Sequence, residues 1–359
     1  MSYPRFTSAV LTPRERGREF GETWRARIAA TVDGYRGLFA MAGTADLSLL
    51  GEQALERIDG WAPDLGEEIR GLAEGAGLPR SDVAAVNART EILAMLGHRA
   101  AECSAIVALG APGAEPVAVQ TWDWYAGFAG QWLVWTIPRQ DGRQTTTLTE
   151  FGIVGKIGVN SRGVGCLFNI LHHQSDGAPM GVPVHVVARR LLDEAGSVAA
   201  GLELIGSARV SASTAITVIG GRRAGKTVAS AELWPGGPDH VLPEPDGLLL
   251  HTNHFLASRP AGGDTEPVKE PDTLVRLEAL RRTLEGRGRD LSVPEAIDSL
   301  CDHASYLCCH PARGQPVQYE FETLAAVRID FGASTLDVAS GPPCASAGRR
   351  IRARAADQP

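Results

Sequence analysis

The feature that most constrains this chain is a change of period near residue 104. Residues 12 to 100 read as helices. "TPRERGREFGETWRARIAATVDGYRGLF" opens with a Thr cap and a Pro at the first helical position. "DLGEEIRGLAEGAG" and "PRSDVAAVNARTEILAML" then repeat apolar residues at three- and four-residue spacing. From Ser104 the runs become short, β-branched or aromatic: "SAIVAL", "PVAVQTW", "QWLVWTI", "TTTLTEF" and "KIGVNS", each broken by Gly, Pro or Asp, predict a meander of strands. A helical pair is expected at "PVHVVARRLLDEAGSVAAGLELIG", strands again at "STAITVIGG", "TVASAELW" and "GLLLHTNHF", helices at "DTLVRLEALRRTLEG" and "VPEAIDSLCDH", and closing strands at "TLAAVRIDF" and "TLDVAS". Strands in two blocks with helices in separate blocks predict α+β layers rather than regular βαβ alternation. No linker divides the chain; "RPAGGDTEPVKEPDT" reads as a mobile loop and residues 345–359 as a flexible basic tail.

A chain of 359 residues with 44% hydrophobic content can bury a large core. Its net charge of -7 and pI near 5.8 argue against a nucleic-acid partner, which would want clustered positive charge. No apolar run approaches the ~18 residues of a membrane span, and the first residues carry no signal-peptide core, so a cytoplasmic protein with reduced thiols and no membrane partner is expected. Cys308, Cys309 and His310 lack the spaced ligand pairs of structural zinc sites and read as packing thiols, with no metal expected. "GGRRAGKT", Gly220 to Thr227, fits the phosphate-loop pattern, which needs a helix opening at the Lys. "TVASAELWPGG" follows and alternates like a strand, so a hairpin turn is expected and no nucleotide. Lysine occurs only at Lys156, Lys226 and Lys269, which reads as the base composition of the gene.

Cys103 stands at the leading edge of the first long strand, about a third of the way along. After it come "QTWDW", "TEFGIVGKIGVNSRGVGCLFN", "GVPVHVVARRLL" and "LLLHTNHF", and before it "EEIRGLAEGAG" and "VNARTE". In that order, from about Arg16 to Pro343, they resemble the isopenicillin N acyltransferase family of autoproteolytic cysteine Ntn hydrolases, enzymes whose N-terminal residue is the nucleophile. The resemblance implies a four-layer αββα Ntn-hydrolase sandwich, two antiparallel sheets between helical layers. It implies a precursor that cuts itself between Glu102 and Cys103, leaving a helical fragment 1–102 associated with a catalytic core 103–344. The freed α-amine of Cys103, with a reference pKa of about 7.7 to 8, would then activate the thiol of the same residue. Asp123 is implied to hold that amine, and Asn253 to donate its amide to the developing oxyanion. Trp122, Trp124 and Tyr125 are expected as core or acyl-pocket aromatics, Arg89 and Glu91 as an internal ion pair, and His251 and His254 as structural or pocket-lining.

Two departures shape the expected chemistry. Glu102 stands where familiar members carry Gly, the residue that best tolerates a strained cleavage-site backbone. Glu320 stands at the position of an arginine that precedes the closing "TL" strand of the acyltransferase; a carboxylate there disfavours a carboxylated acceptor and suits a basic amine. The expectation is an amidohydrolase that cleaves a small N-acylated amine through a Cys103 thioester, with water as acceptor and no cofactor. The alternatives are acyl transfer from a coenzyme A thioester to an amine, and an uncut, non-catalytic binding protein on the same fold.

Overall fold

The computed structural model describes residues 3–44, 46–98, 102–311, 320–345 and 351; most of the expected tail lies outside them. After a short strand β1 (Arg5–Thr7), the chain forms five helices: α1 (Pro13–Ala42), α2 (Leu47–Trp61), α3 (Pro63–Ala76), α4 (Arg80–Asn87) and α5 (Arg89–Met95). The start of α1 is the one its sequence predicts, with Pro13 in the first turn and the Thr12 N–H donating to the Glu15 carboxylate (3.1 Å). α1 and α3 cross almost backbone to backbone. A Cβ on Gly21 would sit 2.5 Å from the Leu72 carbonyl oxygen, and one on Gly75 2.3 Å from that of Arg18, so only glycine permits this crossing.

The strands follow as β2 (Glu102–Ala108), β3 (Val117–Tyr125), β4 (Trp132–Pro138), β5 (Gln144–Glu150), β6 (Ile157–Asn160) and β7 (Val164–Ile170). The expected helical pair is α6 (Val184–Glu194) and α7 (Val198–Gly206), followed by β8 (Thr214–Gly220), β9 (Val228–Leu233), β10 (Asp239–Val241) and β11 (Leu248–His251). Helices α10 (Asp272–Leu284) and α11 (Val293–Ser299) precede β12 (Phe321–Asp330) and β13 (Thr335–Ser340). The edge strands β1 and β10 are three residues each and too short to carry an alternation signal. The segment expected as a mobile loop instead contains two single-turn helices, α8 (Ser258–Ala261) and α9 (Glu266–Lys269). Asp264 ties it down, accepting backbone N–H bonds from Phe255 (2.7 Å) and Glu266 (2.9 Å). "GGRRAGKT" is a turn between β8 and β9, with Gly225 in the left-handed region (φ 89°) and the Lys226 ammonium on the Gly110 carbonyl (3.2 Å).

One sheet has eight strands in the order β1-β4-β5-β6-β7-β8-β9-β10, antiparallel except for the β1–β4 pair. The other has five antiparallel strands in the order β11-β2-β3-β12-β13. They face each other, and the Gln120 amide of β3 joins them by exchanging two hydrogen bonds with the Phe168 backbone of β7 (2.6 and 3.0 Å). Along β2 the side chains alternate. Cys103, Ala105 and Val107 join the core that includes the space between the sheets, whereas Ile106 and Ala108 pack outward against Leu277 and Leu280 of α10 and Ile297 of α11. Each such buried aliphatic side chain contributes about 1.5–3 kcal/mol. On the opposite outer face α6 and α7 cover the eight-stranded sheet, and α1 joins them through Phe20 on Trp135 (4.3 Å). The result is the αββα sandwich.

The N-terminal helices are bound to the rest by buried polar contacts. The Asn87 side chain donates to the Gly152 carbonyl (2.7 Å) and accepts from the Val154 N–H (2.9 Å). Arg89 and Glu91 do not form the ion pair expected of them. Arg89 binds the Glu150 carboxylate (3.0 Å), and Glu91 accepts the Val184 N–H at the start of α6 (2.8 Å), where the free amides of a helix terminus favour an acceptor.

Candidate active site

Cys103 lies on β2 between β11 and β3, in register with Trp122, and is 2% exposed. Its backbone N–H donates to the Asn253 side-chain oxygen (2.8 Å), and its carbonyl accepts from Asn169 Nδ2 (3.0 Å) and from the Arg276 guanidinium (3.1 Å). Arg276, on α10, also directs both terminal nitrogens at the Asn253 oxygen (3.2 and 3.1 Å) while its Nε holds Asp272 (3.0 Å). Guanidinium can only donate, so Arg276 fixes which end of the Asn253 amide is oxygen. The amide nitrogen then faces the Ile170 carbonyl (2.9 Å), which uses one of its two hydrogens.

The turn after β11 that carries Asn253 is itself pinned. The Asn253 N–H donates to Thr273 Oγ1 (2.9 Å), and His251 Nε2 lies 2.9 Å from the Glu232 carboxylate, which also accepts the backbone N–H groups of Leu256 (2.7 Å) and Ala257 (3.0 Å). His254 rests on the hydroxyls of Thr252 (3.1 Å) and Thr273 (3.0 Å), and burial pushes its pKa down to about 4. Both histidines thus brace the turn.

The thiol side of Cys103 has different neighbours. Burial pushes the thiol pKa up to about 11; the charges of Lys156 and Arg276 oppose the shift and that of Asp123 adds to it. Lys156, just before β6, is buried with Nζ 3.7 Å from the centre of the Trp122 ring and 3.9 Å from the Glu150 carboxylate. Its Nζ has no hydrogen-bond partner among the described residues. Burial, then the charge of Arg89, lowers its pKa to about 7. His185 is fully buried with neither ring nitrogen bonded among the described residues, and burial together with Arg89 and Lys156 holds it neutral. Arg89 lies over Trp124 (4.2 Å to the ring centre) with Nε and one terminal nitrogen unbonded. Lys156 thus leaves a buried polar atom without a partner among the described residues near the thiol, and Arg89 and His185 leave others around Lys156.

Of the other residues singled out from the sequence, Asp123 is buried on β3, paired in register with Glu102 on one side and Thr323 on the other. It therefore stands opposite the acyl side of the expected scissile bond. Trp122 and Trp124 are core residues on which the two cations rest. Tyr125 packs on Phe321 (4.2 Å) with its hydroxyl on His98 Nε2 (2.5 Å). Glu320 is not gathered with Cys103 and Asn253. Its carbonyl accepts the Ala126 N–H (2.8 Å), about 10 Å along the strand from Asp123 at ~3.4 Å per residue. Arg276, Asn169 and Lys156 are the residues that the sequence reading missed. None left a signal: Lys156 is one of three lysines whose rarity reads as base composition, and what sets it apart from Lys226 and Lys269 is its burial. Surface hollows of about 770 and 600 Å³ are lined by neither Cys103, Asp123 nor Asn253. Among the described residues no helix is long and apolar enough to cross a membrane.

Residues 111–344 match the family model described as acyl-coenzyme A:6-aminopenicillanic acid acyl-transferase. The chain is 27% identical over 279 residues to the 40 kDa form of acyl-coenzyme A:6-aminopenicillanic-acid-acyltransferase from Emericella nidulans, covering 77% of this chain and 76% of that one. Among solved structures, penicillin V acylase from Agrobacterium tumefaciens is 12% identical with a TM-score of 0.45, over 66% of this chain and 83% of that one. A variant of conjugated bile acid hydrolase from Clostridium perfringens is 11% identical with a TM-score of 0.46, over 66% and 89%. The family match begins just beyond β2 and runs through β13, more than half of the chain, and by it the chain belongs to the acyl-coenzyme A:6-aminopenicillanic acid acyl-transferase family of enzymes.

Proposed function

We propose that the chain is made as a precursor, cuts itself between Glu102 and Cys103, and then uses Cys103 as an N-terminal nucleophile to cleave small N-acylated amines through a thioester. The observation that carries this reading is the grip on the scissile nitrogen: the Cys103 N–H is held by Asn253, whose orientation Arg276 fixes. Before the cut that nitrogen belongs to a peptide bond and cannot serve as base. Lys156 fills the gap in this mechanism, being the neighbouring amine whose pKa of about 7 leaves a good fraction neutral at ordinary pH. Its neutral amine takes the Cys103 thiol proton, and the thiolate attacks the Glu102 carbonyl carbon. As the tetrahedral species collapses, the C–N bond breaks and the ammonium of Lys156 returns the proton to the departing Cys103 nitrogen. Water then splits the Glu102 thioester, giving a free carboxylate and the thiol.

In the mature enzyme the α-amine of Cys103 replaces Lys156 as the base, with Asp123 orienting it. The second hydrogen of the Asn253 amide serves the oxyanion of each tetrahedral step. The acyl group of the substrate passes to Cys103 Sγ as the amine leaves, and water releases it. A second reading, acyl transfer from a coenzyme A thioester to an amine, is favoured by the family match and by the name of the Emericella nidulans relative.

Intact-mass analysis tests the first step: wild type should separate on denaturation into chains starting at Met1 and Cys103 that co-purify natively, and Cys103→Ala should remain whole. Wild-type protein still uncut after long incubation at neutral pH overturns the proposal. Partitioning tests the second: with an amide substrate and excess amines, free acid should exceed new amide. New amide as the main product, with coenzyme A thioesters as the better donors, replaces hydrolysis by transfer.

A further inference from the structure

A second cluster of thiols and imidazoles, which includes neither Cys103, Asp123 nor Asn253, has a geometry of its own. Between α11 and β12, and again after β13, four side chains turn their ligand atoms toward one point: His303, Cys308, His310 and Cys344, all within 4.8 Å of one another. His310 Nε2 lies 3.2 Å from His303 Nε2, 3.4 Å from Cys308 Sγ and 3.4 Å from Cys344 Sγ. An imidazole nitrogen carries at most one hydrogen and cannot satisfy three such contacts as hydrogen bonds. Four donors around a tetrahedral Zn²⁺, with Zn–N near 2.0–2.1 Å and Zn–S near 2.3 Å, stand about 3.3 Å apart for two nitrogens and about 3.5 Å for nitrogen and sulfur. The three separations above fall on those values. Two thiolates and two imidazoles are also a recurrent zinc set, and two thiolates cancel the charge of the ion.

We infer that His303, Cys308, His310 and Cys344 form a structural zinc site. All four positions of the tetrahedron are taken by protein, which leaves none for substrate or water and separates it from a catalytic centre. Binding converts two thiols to thiolates and releases two protons to solvent. The site staples the segment after α11 to the one after β13. Cys309, between two ligands, points elsewhere: its N–H and carbonyl bond Thr323 (3.1 Å each) and its sulfur faces the Phe321 carbonyl (3.5 Å). Thr323 is the register partner of Asp123, so the zinc loop anchors the strand beside the proposed active site. The run Cys308-Cys309-His310 therefore contributes two ligands and a spacer. The set was hidden in the sequence because its last ligand lies 34 residues beyond His310.

The test is metal analysis of full-length protein produced in zinc-supplemented medium and dialysed. About one zinc per chain is expected in wild type and in Cys103→Ala, falling at least tenfold in Cys308→Ser and in Cys344→Ser. Should those variants fail to fold, one of the two exposed ligands offers a milder change, His303→Ala, and cobalt-loaded wild type should show the intense visible bands of a tetrahedral thiolate site. Wild type without zinc that takes up neither zinc nor cobalt overturns the inference. So does full zinc in the Cys308→Ser, Cys344→Ser double variant, or a Cys308–Cys344 disulfide in its place.

Discussion

Two groups of buried charge lie in this fold, and they are finished to different degrees. In the first, Arg16 and Arg189 share the Glu68 carboxylate (2.5 and 2.7 Å from the nearer nitrogens), while Arg189 also binds Asp193 (3.0 Å) and the Val154 carbonyl (2.8 Å), and Asp193 accepts from Thr145 (2.8 Å). None of these four charged side chains has a buried polar atom without a partner. In the second, Glu150 is shared by Tyr35, Arg89 and Lys156, yet Lys156 Nζ, two Arg89 nitrogens and both nitrogens of His185 have none. Each buried group left unsatisfied costs about 1–3 kcal/mol, and more when charged. The first group welds α1, α3 and α6 together. The second borders Cys103, and tolerating that cost beside a thiol is what a site that must move protons requires.

The sharpest way to break this comparison is at Lys156. Lys156→Arg keeps the positive charge but cannot give up a proton, so self-cleavage should slow by about 10²–10⁴ and lose its pH dependence. In wild type the neutral fraction of Lys156 grows as pH rises through about 7, so cleavage should accelerate over that range and then level. The folded value lies below the ordinary 10.5, so the unfolded chain binds the extra proton between about 7 and 10.5, and stability from this residue rises with pH across that window. The measurement is precursor decay by denaturing gel against pH. A Lys156→Arg precursor that cuts at the wild-type rate removes Lys156 from the mechanism.

Asn253→Ala should have the next largest effect, about a hundredfold or more on turnover of mature protein, by removing an oxyanion donor. Self-cleavage should slow as well, because the Cys103 N–H loses its side-chain acceptor and Arg276 loses one of its acceptors. Near wild-type turnover in a folded, mature Asn253→Ala enzyme would assign Asn253 to precursor geometry alone.

Most of the layering was legible in the sequence because period and turn residues are local. The three helix blocks and the long strands of both sheets follow from them, and the capped start of α1 from Thr12 and Pro13 alone. Cys103, Asp123 and Asn253 came from order and resemblance. Arg276 did not, since nothing in "DTLVRLEALRRTLEG" distinguishes the arginine that reaches inward to Asn253 from the exposed ones. Lys156 read as the start of a strand because its meaning lies across the sandwich, at Trp122. The segment holding α8 and α9 read as loose because Gly and Pro dominate it, while the contact that orders it is one carboxylate, Asp264, on backbone amides.

The smallest effect on chemistry should come from the finished group, and it should be a different kind of effect. Glu68→Gln keeps the shape of the side chain but leaves Arg16 and Arg189 facing an uncharged amide with 0% of position 68 exposed. Breaking a buried pair from one side costs about 3–5 kcal/mol, because the charge left behind is still out of water. Arg189 retains Asp193, so the low end of that range is expected. Thermal unfolding should therefore shift down by several degrees, while cleavage and turnover per folded molecule stay within about twofold of wild type, since no member of this group touches Cys103, Asp123 or Asn253. The two readouts separate welding from chemistry. Glu68→Gln protein that melts like wild type but cuts slowly would show that the paired network also acts at the thiol, and that unsatisfied polar atoms are the wrong marker for the site.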